Sequence, residues 1–329
     1  MNFLKIESFG KPDKVIMLDQ QDCPTPNKNE VLIKMIKACI NPSDLLTIRG
    51  RYASRIPLPY IPGFEGVGKV ISVNQVENKS LIGQRVVTLC GRGSWQEYTV
   101  APVYNTIIDP NVLSDNIAAQ LYVNPLTDWL ILKKLVIKRN QYLLLNACNS
   151  AIGKLFCQLA KVFGFKVIGF VRDDKHVSNL LSFGANAVIN TSLYNSFNTL
   201  NKVIKELTDN KPIQYGLDAI GGRSGLYLAQ ALGKNAHFIQ YGLMSNQPLP
   251  QSVWSSPPNN IHMELFHLRS WLYKTAQETR RKTFNEMLSC FTQHNLKLPI
   301  AQTYSLDQAK EAILHAEAPD KKGKILFHF

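Results

Sequence analysis

The sequence predicts an α/β protein of two domains, one inserted into the other. Three observations predict it. The 329 residues suffice for about two domains of roughly 150 residues each. The first third consists of short Val-, Ile- and Thr-rich runs broken by Pro, Asn and Gly clusters. From about residue 115, apolar strands alternate with helical segments, the pattern of stacked β-α-β units and a parallel sheet.

Taken in order, Lys14–Leu18, Val31–Cys39, Gly66–Val73, Arg85–Leu89 and Ser94–Val100 read as strands of the first domain. The Pro-rich stretch Ile56–Gly63 between them is a loop, because proline lacks the ladder N–H. In the second domain Gln141–Leu145 is a short apolar strand, and Ile152–Phe163 a helix with Leu155, Phe156, Leu159 and Phe163 on one stripe. A strand at Lys166–Val171 and a helix at His176–Phe183 follow, and Gly184 stops that helix. Ala187–Ile189, Tyr215–Ala219 and Ala236–Tyr241 are further strands, separated by helices near Asn198–Leu207 and Gly222–Leu232. Phe266–Leu272 is expected as a last strand. The chain then turns helical over Gln277–Gln293, and Ser305 is placed to cap a helix at Leu306–Ala316 before a final strand, Lys324–Phe329.

Composition narrows the function classes. Nineteen Gly and 17 Pro are an ordinary share, which excludes collagen-like and disordered chains. No run approaches the roughly 18 apolar residues of a membrane span, and the N-terminus shows neither a signal-peptide core nor an Arg/Ser-rich presequence, so a cytoplasmic protein is expected. Cys23, Cys39, Cys90, Cys148, Cys157 and Cys290 form no C-x-x-C and match no zinc framework; several sit in apolar patterns and read as buried thiols, which fits a reducing setting. The net charge of +13 would suit nucleic acid, an anionic membrane or a phosphate-rich small molecule. Its basic residues are scattered and accompany no nucleic-acid-binding pattern, so nucleic acid is not expected as a partner. His237, His262, His267 and His315 lack partner spacing and read as structural.

The strongest local chemistry lies at Leu144–Gly153, which joins a strand to a helix. A dinucleotide site needs a helix N-terminus and backbone N–H groups aimed at the pyrophosphate. Laid over G-x-G-x-x-G, the three glycine places fall on Cys148, Ser150 and Gly153, and only the third is glycine. The competing reading is a plain β-α turn with Asn149 or Ser150 as cap. After the next strand, Val171-Arg172-Asp173-Asp174 offers both signs: Arg172 suits a ribose 2′-phosphate, whereas Asp173 stands where an acid would hold the 2′-hydroxyl. The residues favour NADP over NAD only modestly.

At this point the order of segments resembles the medium-chain dehydrogenase/reductase superfamily. The resemblance rests on Ile61–Gly68 against its G-H-E-x-x-G segment, on Asn41-Pro42-Ser43-Asp44 against C-x-x-D, and on Lys322–Leu326 against the C-terminal G-K-x-x. It implies a GroES-like partly open β-barrel catalytic domain over 1–117 and 276–329, with an inserted Rossmann doubly wound parallel-sheet domain over 118–275. Zinc alcohol dehydrogenases have Cys where Asn41 stands and His where Phe64 stands; neither replacement offers a ligand, so no metal is implied.

Within the zinc-free branch the details are similar to the 2-enoyl thioester reductases of mitochondrial type. They are Arg49–Tyr52, Val123–Thr127, Asn146–Gly153, Phe170–Asp173, Gly221–Ser224, Tyr241–Pro248 and Trp271-Leu272. Quinone oxidoreductases are the alternative; they usually keep a glycine-rich phosphate loop. The resemblance implies NADPH as cofactor and Tyr52 as the catalytic acid, with Arg49, Arg51 and Arg55 about it. It places Asn124 near the nicotinamide, counts Asn41 and Thr127 among the cofactor-binding residues, and puts Asn149, Ser150, Ala151, Ile152 and Gly153 on the pyrophosphate. Arg172 would meet the 2′-phosphate. Tyr241, Gly242, Leu243 and Met244, with Trp271 and Leu272, would line the cofactor and acyl pocket. Lys324 or Lys322 would be the C-terminal lysine. An acyl thioester, on coenzyme A or an acyl carrier protein, is the implied substrate. A homodimer paired near Phe266–Leu272 is the implied assembly. An NADPH-binding regulator of nucleic acid is the reading from another class.

Overall fold

The computed structural model describes residues 1–89, 92–108 and 112–329. Cys90 lies outside the described residues. By packing, the chain divides into two compact units, Met1–Leu126 with Ala276–Phe329, and Thr127–Thr275.

The first unit opens with strands β1 (Asn2–Lys5) and β2 (Met17–Gln20), an antiparallel pair joined through a helical turn α1 (Pro12–Val15). The expected strand at Lys14–Leu18 is therefore divided. Pro12 sits in the first turn of α1 with Asp13 beside it, and both favour a helix start. Strand β3 (Glu30–Ile40), helix α2 (Pro42–Ile48) and strands β4 (Glu65–Val73), β5 (Arg85–Leu89), β6 (Tyr98–Pro102) and β7 (Thr106–Ile108) follow. The expected strand Ser94–Val100 begins only at Tyr98, because the N–H groups of Ser94 and Trp95 go to the Pro62 carbonyl in the Pro-rich loop. A short helix α3 (Asp115–Ala118) leads into α4 (Asn124–Leu135).

The second unit holds β8 (Tyr142–Leu145), α5 (Ala151–Phe163), β9 (Lys166–Val171), α6 (Val177–Phe183), β10 (Ala187–Asn190), α7 (Phe197–Leu207), β11 (Tyr215–Asp218), α8 (Gly222–Ala231) and β12 (His237–Gln240). It ends with α9 (Gln251–Ser255), β13 (His262–Leu265) and α10 (Leu268–Lys274). All six strands run parallel in the order β10-β9-β8-β11-β12-β13. This is the doubly wound Rossmann order, and it reverses between β8 and β11, where such sheets bind ligands at their carboxyl ends. The last strand is His262–Leu265, and Phe266–Leu272 runs instead into α10. Asn259 and Asn260, with φ of 52° and 54°, turn the chain so that strand pairing with β12 begins at His262.

The return segment supplies α11 (Gln277–His294), β14 (Ile300–Tyr304), α12 (Ala309–Glu317) and β15 (Lys324–His328). Gln308 Oε1 accepts from Ser305 N–H and Oγ, so the expected helix opens with a 3₁₀ turn, Leu306–Gln308. In the first unit's larger sheet β3 is central: β4 pairs along one edge, while β6 and β15 share the other. Register shifts in the β3–β4 pairing bend β3 near Met35, giving the GroES-like, partly open barrel. Among the described residues no helix is long and apolar enough to cross a membrane.

Candidate active site

Two polar constellations stand out, one in each unit. In the first, β3, β4 and β15 bring together Asn41, Asp44, Glu65 and Lys324, all buried. Asn41 Nδ2 donates to Glu65 Oε1 at 2.7 Å, and Lys324 Nζ donates to Asn41 Oδ1. Glu65 Oε2 accepts the N–H groups of Tyr122 (3.0 Å) and Val123 (2.7 Å), where the chain enters α4 at Asn124. Asp44 accepts from Asn41 N–H at 2.7 Å and Phe64 N–H at 3.0 Å. Burial pushes the Glu65 carboxyl up, against the pull of the Lys324 ammonium. Burial also raises Asp44 to about 7, although the Asn41 N–H bond opposes the shift. Tyr52 follows α2 and caps the 3₁₀ turn Ala53–Arg55; it is half-buried, with the Arg55 guanidinium 4.8 Å from its ring centroid. Arg49 is engaged with Glu317 at 2.5 Å.

In the second unit β8 passes through a short loop into α5. Ser150, not Asn149, is the cap: its Oγ accepts the Gly153 N–H at 3.1 Å. The N–H groups of Ala151 and Ile152, in the same first turn of α5, have no acceptor among the described residues. Gly153 is required by contact, since a Cβ there would lie 2.2 Å from the Cys148 carbonyl oxygen. After β9, Asp173 caps the surface 3₁₀ turn Asp174–His176. It accepts the Lys175 N–H at 3.0 Å and pairs with Lys175 Nζ at 2.7 Å, and that lysine holds its carboxyl below the usual range. Arg172 is exposed and has no partner among the described residues.

The hub of this edge is a residue that no sequence motif marks. Asp218, at the end of β11, is fully buried and accepts from Asn146 Nδ2 (2.6 Å), Ile220 N (2.9 Å), Gly221 N (2.9 Å) and Gln240 Nε2 (2.7 Å). It ties the ends of β8, β11 and β12 together; an acid closing the apolar run Tyr215-Gly-Leu-Asp218 was the available signal. Tyr241 and Met244 donate their N–H groups to the Asp218 and Ala219 carbonyls, so Tyr241, Gly242, Leu243 and Met244 leave β12 on a fixed path. Burial pushes the Tyr241 phenol well up, with the neighbouring Asp128 adding to it. Trp271 and the buried Leu272 lie on α10, while Asn124 opens α4 with the buried Thr127 one turn on.

Comparison with known proteins places this arrangement. The alcohol dehydrogenase GroES-like domain family matches residues 27–110, and the zinc-binding dehydrogenase family matches residues 151–293. The mitochondrial enoyl-[acyl-carrier-protein] reductase of Caenorhabditis elegans is 30% identical over 292 residues, 86% of this chain and 82% of that one. The chain belongs to the medium-chain dehydrogenase/reductase superfamily. Its branch is that of the enoyl thioester reductases and quinone oxidoreductases, and it is an oxidoreductase. A Bacillus thuringiensis structure assigned as an NADPH:quinone reductase is 36% identical, with TM-score 0.93 over 100% of this chain and 98% of that one. The complex of Etr1p with NADP and crotonyl-CoA is 25% identical, with TM-score 0.83 over 100% and 99%.

One matching family is named for zinc, and the residues present do not fit that ion. Asn41 and Phe64 stand at the ligand places, and the Lys324 ammonium sits against Asn41 where a dication would need an anionic donor. Among the described residues no three His, Cys, Asp or Glu side chains gather to hold a metal. A dinucleotide fits better: the open N–H groups at the α5 N-terminus and the close approach at Gly153 are what a pyrophosphate requires.

Proposed function

We propose that this superfamily member reduces the C=C bond of 2-enoyl thioesters with NADPH, without a metal and with Tyr52 as the acid. The observation that carries the reading is the Lys324–Asn41–Glu65 chain in the place of a zinc site. It leaves only protic groups to meet a substrate carbonyl. Bound NADPH supplies hydride to the β-carbon of the conjugated alkene. Negative charge then builds on the thioester oxygen, and the Tyr52 phenol donates a hydrogen bond to it or a proton to the α-carbon.

Asn149, Ser150, Ala151, Ile152 and Gly153 hold the pyrophosphate. Arg172 takes the 2′-phosphate, because the competing Asp173 is engaged with Lys175. Glu65 fixes the turn before α4, and with it Asn124 and Thr127 for the nicotinamide half. Asn41 and Lys324 in the first unit also serve the cofactor, and in the second unit Tyr241, Gly242, Leu243, Met244, Trp271 and Leu272 serve the cofactor and the acyl chain. The working form is a homodimer paired along the free edge of β13, and the setting is cytoplasmic, although the worm relative is named as mitochondrial.

A quinone is the second reading, favoured by the 36% identity to the Bacillus thuringiensis protein along the whole chain. Both substrates present a polarised C=C–C=O. The deciding assay is NADPH oxidation with crotonyl-CoA beside a naphthoquinone. Turnover of the thioester is the expected result; turnover of the quinone alone would assign the second reading.

A further inference from the structure

The Rossmann unit has a second recess, at the amino ends of its strands and so at the opposite edge from the phosphate loop. It is a cleft of about 270 Å³ whose polar lining is Arg139, Asn140, Lys161, Lys166 and Asn186. Three of these are cations, and no carboxylate lines it. Its rim is held by backbone bonds of 2.8 Å: Asn140 N–H to Gly164, Lys166 N–H to Gln141 and Asn186 N–H to Val167.

Cations here have an ordinary use, since α5 and α6 both end at this rim and their last carbonyls are negative. Lys161 serves that use, donating to the Ser182 carbonyl at 2.8 Å. Arg139 and Lys166 do not. Neither has a hydrogen-bond or ion-pair partner among the described residues; Arg139 lays its stem against Gly164, and Lys166 Nζ stands 5.2 Å from the Tyr142 ring centroid. Asn186 Oδ1 accepts the Val167 N–H at 2.8 Å, which leaves its amide N–H₂ without an acceptor. Arg139 and Asn186 are exposed and Lys166 half-buried, so these donors face solvent in an open recess free of acids, an arrangement that favours an anion.

We propose that this cleft binds the phosphate or pyrophosphate group of a small metabolite, through Arg139, Lys166 and Asn186. The planar fork of Arg139 suits two phosphate oxygens at once, and Lys166 adds a point charge. At about 270 Å³ the recess has room for a phosphate or pyrophosphate group, and being open it lets the rest of a metabolite project into solvent. The site is separate from the dinucleotide loop, and both can be filled together.

The test is calorimetric titration of inorganic pyrophosphate into the full chain at low ionic strength with NADPH saturating, so that the α5 N-terminus is occupied. One-to-one binding is expected, weakened tenfold or more in Arg139→Gln/Lys166→Gln and lost as salt rises. The single variant Lys166→Gln removes no hydrogen bond of the fold and should weaken binding severalfold at unchanged Tm. Equal pyrophosphate affinity in the wild type and in both variants overturns the proposal. So does binding of a single-stranded oligonucleotide with none of pyrophosphate, which would make the cleft part of a polyanion surface.

Discussion

Arg172 and Asp173 stand side by side after β9, and their surroundings separate them. Asp173 is pinned to Lys175, while Arg172 projects unpartnered. Charge-assisted bonds are worth about 1.5–3 kcal/mol, so Arg172→Ala is expected to weaken NADPH roughly tenfold to a hundredfold and to leave NADH nearly unchanged. Fluorescence titration with both cofactors checks this, and equal losses would remove Arg172 from the 2′-phosphate. Tyr52→Phe deletes only the phenolic donor. It is expected to lower kcat roughly 10²-fold or more at unchanged NADPH affinity, and unchanged turnover would take Tyr52 out of the mechanism. Asp44 carries a pH signature. Its folded-state value, about 7, lies above the ordinary carboxylate value, so the folded state holds the proton more tightly. That contribution is full at low pH and is lost as pH rises through 7. Between pH 5 and 8 the Tm of the wild type should fall relative to Asp44→Asn, and parallel curves would refute it. Residue identities were partly legible: Asn41 and Phe64 already spoke against zinc. The roles of Glu65 and Asp218 were not, because a buried carboxylate is defined by the N–H groups that converge on it from distant segments.

At the scale of the element, α5 begins without two of the three glycines of G-x-G-x-x-G. Ser150 caps the helix and Gly153 permits the close approach to Cys148, so the essential geometry persists. Gly153→Ala would force a methyl group to within 2.2 Å of a backbone oxygen. Displacement of the loop should cost about 1–3 kcal/mol of stability and weaken NADPH at least tenfold, measured by thermal melts and titration. The edge strand β13 gives the second element-level expectation. His262 and Phe266 direct their N–H groups to β12, so by alternation Met263 and Leu265 direct theirs outward. Leu265→Pro removes one outward donor only and is expected to convert a dimer to a monomer by light scattering; an unchanged mass would place the interface elsewhere. The long amphipathic helices and parallel strands were readable from periodicity. The shorter elements were not: α2, β7 and β14 have too few residues for a period, and tertiary pairing makes them. The strand expected at Phe266–Leu272 became α10 because β12 offers a partner only from His262 to Leu265.

The whole molecule carries a net charge of +13, and its expected consequence is attraction of anions: NADPH, the phosphates of coenzyme A, or an acidic carrier protein. Turnover of a coenzyme A thioester should therefore fall in kcat/KM as salt rises from about 0.1 M, where the Debye length is about 10 Å, toward 1 M, where it is about 3 Å. A neutral short thioester should be less sensitive, and equal salt dependence would dismiss the charge as a recognition device. By itself the sequence determined the two-part architecture, the strand-loop-helix at Leu144–Gly153, and the loss of the metal ligands. These depend on local spacing and residue type. Only the tertiary structure decided that Asp173 is engaged and Arg172 open, that Lys324 rather than Lys322 reaches Asn41, and that Asp218 gathers three strand ends. Those outcomes depend on which donors meet which acceptors across tens to hundreds of residues, and no local pattern encodes that.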